Sequence, residues 1–262
     1  MNKIEIKAVF FDIDGTLVSF ETHQVPQSTI EALDALRQKG IKVVIATGRP
    51  LHDINNLGDL EFDGYITANG AYCVTKDKEL LHNNLISTES KEKLLEYLKI
   101  NPFPCLFVTE GESFSNYIDE QVISINKMVN LPAPAIAPVE RVLECDIFQI
   151  DAFIDAKEEK FLIDNILTDC EGNRWHPAFV DLNVKGNNKA TGIEAFLKHY
   201  NIKQEQTMAF GDGGNDISML EYVALGVAMG NANDEVKAKA DFVTLSVDDQ
   251  GISHALKHFD IV

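Results

Sequence analysis

The stretch Lys7-Ala-Val-Phe-Phe-Asp-Ile-Asp-Gly-Thr-Leu17 decides the fold class of this chain. Its apolar residues predict a short buried strand that runs directly into two acids, Asp12 and Asp14. Side chains at i and i+2 of a strand share one side and lie about 6–7 Å apart, at roughly 3.3 Å per residue. Two carboxylates at that spacing can act on opposite ends of one bound group, although a solvated Asp-x-Asp-Gly turn has the same sequence. Open α/β sheets place ligand crevices at the carboxyl ends of their strands, so we expect a functional site here.

Composition indicates a globular chain with a strong negative charge. Its 262 residues are 45% hydrophobic and 24% charged, and the formal net charge is −18. This balance opposes binding to nucleic acid or to an anionic membrane, because the basic surface that such binding requires is missing. An anionic small-molecule substrate would need local attraction from a metal ion or from a few placed cations. The oligomeric state stays open.

The sequence predicts a cytoplasmic protein. The N-terminal apolar run Ala8–Phe11 is too short for a signal peptide, and no segment approaches the roughly 20 apolar residues of a membrane span. The four cysteines are far apart and form no C-x-x-C pair. We therefore expect reduced, mostly buried thiols rather than disulfides or a zinc site.

The order of predicted elements favours an α/β fold with a Rossmann-like parallel-sheet core. A capping box, Ser28 with Glu31, predicts a helix that ends at Gly40, and Ile41–Ala46 then reads as a buried parallel strand. After a middle part of different composition, the alternation of helices and strands resumes, with a helix over Lys189–Tyr200 and a strand over Thr207–Phe210.

The middle part predicts an inserted α/β module with a mixed sheet. It is richer in proline, and its expected helices lie near Thr88–Ile100, Glu120–Val129 and Ala156–Leu167. Its expected strands are Cys105–Val108, Ile147–Ile154 and Trp175–Val184. We predict a core of residues 1–82 and 183–262, with residues 83–182 as the inserted domain.

Polar residues follow four elements of the predicted core. They are Asp12 and Asp14, Thr47-Gly48-Arg49, Lys189 at a helix start, and Gly211-Asp-Gly-Gly-Asn-Asp216. Each motif alone is compatible with a structural turn. Together they supply carboxylate oxygens suited to Mg²⁺, with a hydroxyl, backbone N–H groups and a lysine suited to phosphate oxygens.

This ordered set resembles the four motifs of the haloacid dehalogenase (HAD) superfamily. More narrowly it is similar to the Cof-like phosphatases, whose substrate-specificity cap is inserted between the second and third motifs. The resemblance implies a HAD-like core with an α/β cap. It also implies a Mg²⁺-dependent phosphatase that hydrolyses small phosphate monoesters, such as hexose or pentose phosphates, through an aspartyl-phosphate.

The resemblance also implies a role for each motif residue. Asp12 would be the nucleophile and Asp14 the general acid and base, while Asp12, Asp212 and the backbone carbonyl of Asp14 would bind Mg²⁺. Asp216 would orient a water molecule on the metal or hold Lys189. The transferring phosphoryl group would be bound by Thr47, Gly48, Lys189 and Asn215.

The roles of several other residues remain open. Lys185 is a rival for the role of Lys189, which we favour because it begins the helix. Candidates for substrate contacts are Arg49, Asn69, Trp175 and His176. A surface salt bridge is an equally good interpretation of Arg49, and a place in the core is the better interpretation of Trp175 and His176.

Three other functions fit the same motifs. A phosphosugar mutase shares them but needs a bisphosphate activator. A non-catalytic sensor of phosphorylated metabolites would not need Asp14. A receiver-like phospho-acceptor would form a long-lived aspartyl-phosphate without turnover.

Overall fold

A computed structural model describes residues 5–262, except for the side chain of Trp175. Residues 1–4, which the predicted core included, lie outside this part. The strands are β1 (Ala8–Phe11), β2 (Lys42–Ala46), β3 (Gly64–Thr67), β4 (Tyr72–Thr75), β5 (Leu80–Asn83), β6 (Cys105–Val108), β7 (Ser113–Ser115), β8 (Ala135–Ile136), β9 (Gln149–Ala152), β10 (Cys170–His176), β11 (Phe179–Val184), β12 (Thr207–Gly211), β13 (Leu225–Ala228) and β14 (Phe242–Val243). The α-helices are α1 (Gln27–Gln38), α2 (Thr88–Ile100), α3 (Glu120–Met128), α4 (Ala156–Asn165), α5 (Lys189–Tyr200), α6 (Ile217–Tyr222), α7 (Asp234–Lys237) and α8 (Gly251–His258).

The first sheet has β1 at its centre. Its strand order is β14-β13-β12-β1-β2-β3-β4-β5. The strands from β14 to β3 pair in parallel, and β4 and β5 extend one edge antiparallel. The predicted Rossmann-like parallel core is confirmed, and the carboxyl ends of β1, β2 and β12 meet at one edge of the sheet.

Strand β1 is apolar throughout because helices cover both faces of the first sheet. Val9 and Phe11 pack on one side with residues of α1 and α8, such as Leu33 and Leu256. Ala8 and Phe10 point to the opposite side, where they pack against α5 and α6. A strand buried on both faces reads as a continuous apolar run, as the sequence of this segment does.

The second sheet has one helix-covered face and one face turned towards a cavity. Its order is β10-β11-β9-β6-β7-β8, antiparallel except for the β7–β8 pair, so the expected mixed sheet is present. Ile150 and Leu182 point towards α2 and α4, with which they share a core. Because side chains alternate, the neighbouring residues Asp151 and Asp181 point to the other face and line the cavity.

The predicted capping box of α1 is wrong. The helix begins at Gln27, one residue before the expected cap Ser28. Its N-cap position is Pro26, which offers no side-chain cap. The Ser28 hydroxyl is buried without a hydrogen-bond partner among the described residues. The end of the helix is as expected, because Gly40 adopts a φ of 72°, a conformation that favours glycine.

The predicted strand Trp175–Val184 is also wrong. The structure has a hairpin here, in which β10 ends at His176 and β11 begins at Phe179. Pro177 lies in the turn, where its missing N–H removes no ladder hydrogen bond. Most other predicted elements differ from the observed ones only at their ends.

Two simpler expectations can be compared directly with the structure. Cys73, Cys105 and Cys170 are buried free thiols, while Cys145 is partly exposed. In residues 5–262, no helix is long and apolar enough to cross a bilayer.

The packing of α5 on the first sheet predicts the effect of one substitution. A Cβ atom on Gly192 would lie 2.3 Å from Ile66 Cγ2, inside a closely packed core. We expect Gly192→Ala to lower the free energy of unfolding by about 1–2 kcal/mol despite the better helix propensity of alanine. Urea denaturation measures this change. Gly111→Ala is the control, because its Cβ would meet no atom within 4 Å; equal stabilities of the two variants would contradict the prediction.

Candidate functional site

A cavity of about 480 Å³ lies between the carboxyl edge of the first sheet and the uncovered face of the second. Motif residues from distant parts of the chain line it: Asp12, Asp14, Thr47, Gly48, Arg49, Asp212 and Asn215. The turn after β1, the turn after β2 and the loop after β12 position these side chains. The second sheet contributes Gln149, Asp151, His176 and Asp181 from the opposite wall.

Lys189 joins two of the motifs through a buried ion network. Its Nζ atom lies 2.6 Å from Asp12 Oδ1 and 2.5 Å from Asp216 Oδ1. Lys189 is the first residue of α5, whose N-cap is Asn188, and its side chain is completely buried. Although burial disfavours the ammonium ion, the carboxylates of Asp12 and Asp216 outweigh it and raise the pKa of Lys189. Lys189 is therefore a fixed cation.

Asp216 organises the loop after β12. Its Oδ2 accepts hydrogen bonds from the backbone N–H groups of Asp212 and Gly213, both at 2.8 Å. Its other oxygen binds Lys189. Both oxygens are thus already engaged, so Asp216 holds its neighbours in place.

Asp212 is held against the turn that follows β1. Thr16 Oγ1 donates to Asp212 Oδ1 at 2.9 Å, and Asn231 Nδ2 donates to Asp212 Oδ2 at 3.2 Å. The approach is so close that a Cβ atom on Gly15 would lie 2.2 Å from Asp212 Oδ2. Gly15 also has a φ of 85°, so the turn needs glycine for two separate reasons.

The carboxylates of Asp12, Asp212 and Asp216 form a cluster with room for a cation. Each offers an oxygen within 4.8 Å of the others. Burial raises the pKa of Asp12 to about 7, and Asp216 and Asp14 add to this while Lys189 opposes it. Burial and the charge of Asp12 raise the pKa of Asp212 well above its usual value. One ammonium does not balance three acids, and their hard oxygens are the ligands that Mg²⁺ prefers, so the residues present fit this ion.

Asp14 lies two residues after Asp12 but has a different partner. Strand β1 ends at Phe11, so both acids lie in the following loop and the side-chain spacing of a strand does not apply to them. Arg49 binds both oxygens of Asp14, through Nε at 2.6 Å and Nη2 at 2.7 Å. The same guanidinium donates to the Val129 carbonyl at the end of α3. Arg49 is buried, so its pair with Asp14 is not the surface salt bridge that was the alternative.

Thr47 and Gly48 form a cavity wall directly after β2. Thr47 is almost fully buried, and its Oγ1 accepts a hydrogen bond from the Arg49 N–H at 3.1 Å. Within residues 5–262, the hydroxyl proton of Thr47 has no acceptor. The side chain can therefore donate to a ligand in the cavity.

Asn69 connects the two walls of the cavity. Its Nδ2 donates to Asp181 Oδ2 at 2.8 Å and to Gln149 Oε1 at 3.0 Å, and its Oδ1 accepts from Asn215 Nδ2 at 2.9 Å. Ala68 and Asn69 both have positive φ values, 48° and 54°, in the turn between β3 and β4. Such backbone strain is typical of functional positions. Because its amide is fully engaged, Asn69 is better suited to positioning its neighbours than to contacting substrate.

The remaining sequence candidates lie at or near the second sheet. His176 lines the cavity, and burial lowers the pKa of its imidazole. Trp175 belongs to β10, and its side chain lies outside the described part of the structure. Lys185 is exposed and donates to the Thr168 carbonyl at 2.7 Å, away from the cavity.

Sequence reasoning missed Asp151, Asp181 and Asn231. A signal existed for the first two, since each is a single acid in an apolar strand, in Ile150-Asp-Ala152 and Val180-Asp-Leu182. Asn231 follows β13 in a polar turn, as the other motif residues follow their strands.

Comparisons with known proteins agree with this geometry. The model of the family described as haloacid dehalogenase-like hydrolase matches residues 9–256. The chain is 28% identical to Phosphatase YwpJ of Bacillus subtilis (strain 168), over 97% of this chain and 99% of that protein. The structure of the HAD subclass IIB sugar phosphatase BT4131 is similar with a TM-score of 0.92 and 46% identity, over 98% of this chain and 100% of that one. The phosphatase BT1666 of Bacteroides thetaiotaomicron has a TM-score of 0.89 and 39% identity, over 100% of this chain and 97% of its own.

The buried carboxylates predict an unusual dependence of stability on pH. Burial raises the pKa of Asp181 from 3.8 to about 7, so the folded state keeps a proton that the unfolded state releases. This contribution to stability is complete below about pH 4 and is lost as the pH rises towards 7. We expect Asp181→Asn to reduce this loss, by an amount on the order of 2–4 kcal/mol at pH 7, in metal-free protein. Urea denaturation from pH 4 to 8 measures it, with the exposed Asp164→Asn as control. Parallel profiles for wild type and Asp181→Asn would contradict the prediction.

Proposed function

Because the chain belongs to the family of haloacid dehalogenase-like hydrolases and is a phosphatase, we propose that it hydrolyses sugar phosphates with Mg²⁺ through an aspartyl-phosphate on Asp12. The observation that carries the proposal is the convergence of three separated motifs on one cavity, with Lys189 of the fourth motif bound to both Asp12 and Asp216. The name of the similar sugar phosphatase supports the substrate class.

In this proposal Asp12 attacks phosphorus. It lines the cavity, and Lys189 holds one of its oxygens in a defined direction. The new bond joins an Asp12 carboxylate oxygen to phosphorus, while the bond from phosphorus to the alcohol oxygen breaks. Water then attacks the aspartyl-phosphate, which releases inorganic phosphate and restores the carboxylate.

Asp14 handles the protons of both steps. It gives one proton to the departing alcohol and later takes one from the attacking water. Asp14 lines the same cavity, but Arg49 binds both of its oxygens in the present arrangement. To reach the substrate, the carboxylate exchanges at least one of these contacts for the leaving-group oxygen.

The remaining motif residues bind the phosphoryl group and the metal. Thr47 offers a hydroxyl proton, Gly48 a backbone N–H, and Lys189 a fixed positive charge. Asn215 offers an amide that Asn69 orients. Asp12 and Asp212, with the Asp14 carbonyl, would hold Mg²⁺, which when bound neutralises negative charge between the acids and the ester.

The same proposal assigns the two sheets different tasks. Residues 1–82 and 183–262 form the catalytic core, and residues 83–182 form a cap that selects the substrate. The Arg49 contact with the Val129 carbonyl supports a closed position of this cap over the site.

Loss of the nucleophile tests the reaction. We expect Asp12→Asn to lower kcat for a hexose phosphate by 10³-fold or more, because no covalent intermediate can form. We also expect a chelator to abolish phosphate release and added Mg²⁺ to restore it. Inorganic phosphate is measured over many turnovers without a bisphosphate activator. Full activity of Asp12→Asn, or a strict need for the activator, would contradict the proposal.

The two lysines provide a matched pair of variants. Lys189→Met removes the one cation that binds Asp12 in the described part of the chain, and we expect it to lower kcat by 10³-fold or more. Lys185→Met removes an exposed lysine outside the cavity, and we expect less than a twofold change. Steady-state assays with the same ester compare them, and circular dichroism checks that both fold. The reverse ranking would show that Lys185 has the phosphate-binding role.

A further inference from the structure

Asp151 and Asp181 form a pair of acids on the cavity wall that the proposed reaction does not use. They are direct cross-strand partners on β9 and β11, and both point to the face that lines the cavity. Residues directly opposite in an antiparallel pair have Cβ atoms about 4.5–5.5 Å apart. Asp181 also lies next to the phosphate-binding turn, since its Oδ2 is 3.3 Å from the position of a Cβ on Gly48.

Among residues 5–262, the protein supplies amide donors to this pair but no ion-pair partner. Asp181 Oδ2 accepts from Asn69, and Asp151 Oδ1 accepts from Gln149 Nε2 at 2.7 Å. In the described part of the chain, neither acid forms a salt bridge, and no donor binds Asp151 Oδ2 or Asp181 Oδ1. Two acceptor oxygens in a cavity wall therefore remain for a ligand.

The electrostatics of the wall point in the same direction. Burial raises the pKa of both acids, and the charge of Asp181 raises that of Asp151 further. Asp53, which also lines the cavity, adds to the effect on Asp151. A buried acid of this kind is stabilised by hydroxyl or ammonium donors, and above about pH 7, where Asp181 is ionised, it repels a second anionic group.

An independent observation on the opposite wall points to a ligand in the cavity. The buried Thr47 hydroxyl proton has no acceptor among the residues described, and it lies in the same 480 Å³ space as the acidic pair. A phosphate bound at Thr47 and Lys189 leaves the rest of its ester facing Asp151 and Asp181. The pair therefore lies on the wall that the leaving group of such an ester would face.

We propose that Asp151 and Asp181 select the leaving group, accepting esters whose alcohol carries hydroxyl or ammonium donors and excluding esters with a second anionic group. This inference rests on the proposed phosphatase function and adds the class of alcohol. It also separates the protein from a mutase, which must admit a bisphosphate.

Four phosphate esters of similar size test the selection. They are a hexitol 6-phosphate, glucosamine 6-phosphate, 6-phosphogluconate and fructose 1,6-bisphosphate. For the wild type we expect kcat/KM for the first two to exceed that for the last two by 100-fold or more. In assays at pH 8, where Asp181 is ionised, we expect this ratio to fall at least tenfold in Asp181→Asn, because the negative charge is lost while the side-chain volume is kept. We expect it to fall also in Asp151→Asn, because an oxygen that can accept from the alcohol is replaced by an amide donor. A larger loss for glucosamine 6-phosphate than for the hexitol ester would identify ammonium as the preferred donor.

Matched controls keep the outcome clear. Asp164→Asn makes the same charge change on an exposed position of α4 and should leave the ratio unchanged. Asparagine replaces a buried acid with a neutral side chain of the same size, so both variants should fold. If Asp181→Asn does not fold, the ratio in Asp151→Asn and the wild-type ranking of the four esters test the proposal. An unchanged ratio in the variants, or a wild type that hydrolyses all four esters alike, would overturn the selection and leave the phosphatase proposal standing. If none of the four esters, nor p-nitrophenyl phosphate, is hydrolysed, both proposals fail.

Discussion

The contact of the buried Lys189 ammonium with Asp12 and Asp216 is the interaction on which the rest of the site depends. It joins the turn after β1, the start of α5 and the loop after β12. A buried charge of this kind is stable only when it is paired, so the three segments hold one another in register. Because one cation faces three carboxylates, the network keeps a deficit of positive charge. Burial and that deficit together raise the pKa of Asp12, and the deficit makes the cluster suitable for a divalent ion.

The geometry of the two sheets divides the chemistry between them. Parallel strands bring their carboxyl ends to one edge, where the loops place Asp12, Thr47 and Asp212 together. The second sheet faces that edge with the side that its helices leave uncovered. Alternation along β9 and β11 then turns Ile150 and Leu182 to the helices and their neighbours Asp151 and Asp181 to the cavity. In the proposed function, the first sheet supplies the reaction and the second supplies the choice of alcohol.

Two groups connect these walls, and both act through hydrogen bonds. Asn69 links Asn215 on one side with Gln149 and Asp181 on the other. Arg49 links Asp14 with the carbonyl of Val129, so the proposed proton carrier and the cap share one partner. The hydrogen bonds from Asn69 to Gln149 and from Arg49 to Val129 each join residues more than 70 positions apart in the chain. They therefore depend on how the two sheets face each other.

The sequence by itself determined the parallel core, the position of Lys189 at the start of α5 and the gathering of four motifs at one edge. These features follow from local sequence patterns, because apolar runs, helix starts and polar turns are each specified by residues close together in the chain. The same patterns misplaced three boundaries by a few residues: the turn between β10 and β11, the start of α1 and the end of β1. Only the tertiary structure decided that Arg49 binds Asp14 and that Asp151 stands opposite Asp181. The physical reason is that each of these pairs joins residues at least 30 positions apart, and their meeting depends on the packing of whole elements rather than on any local preference.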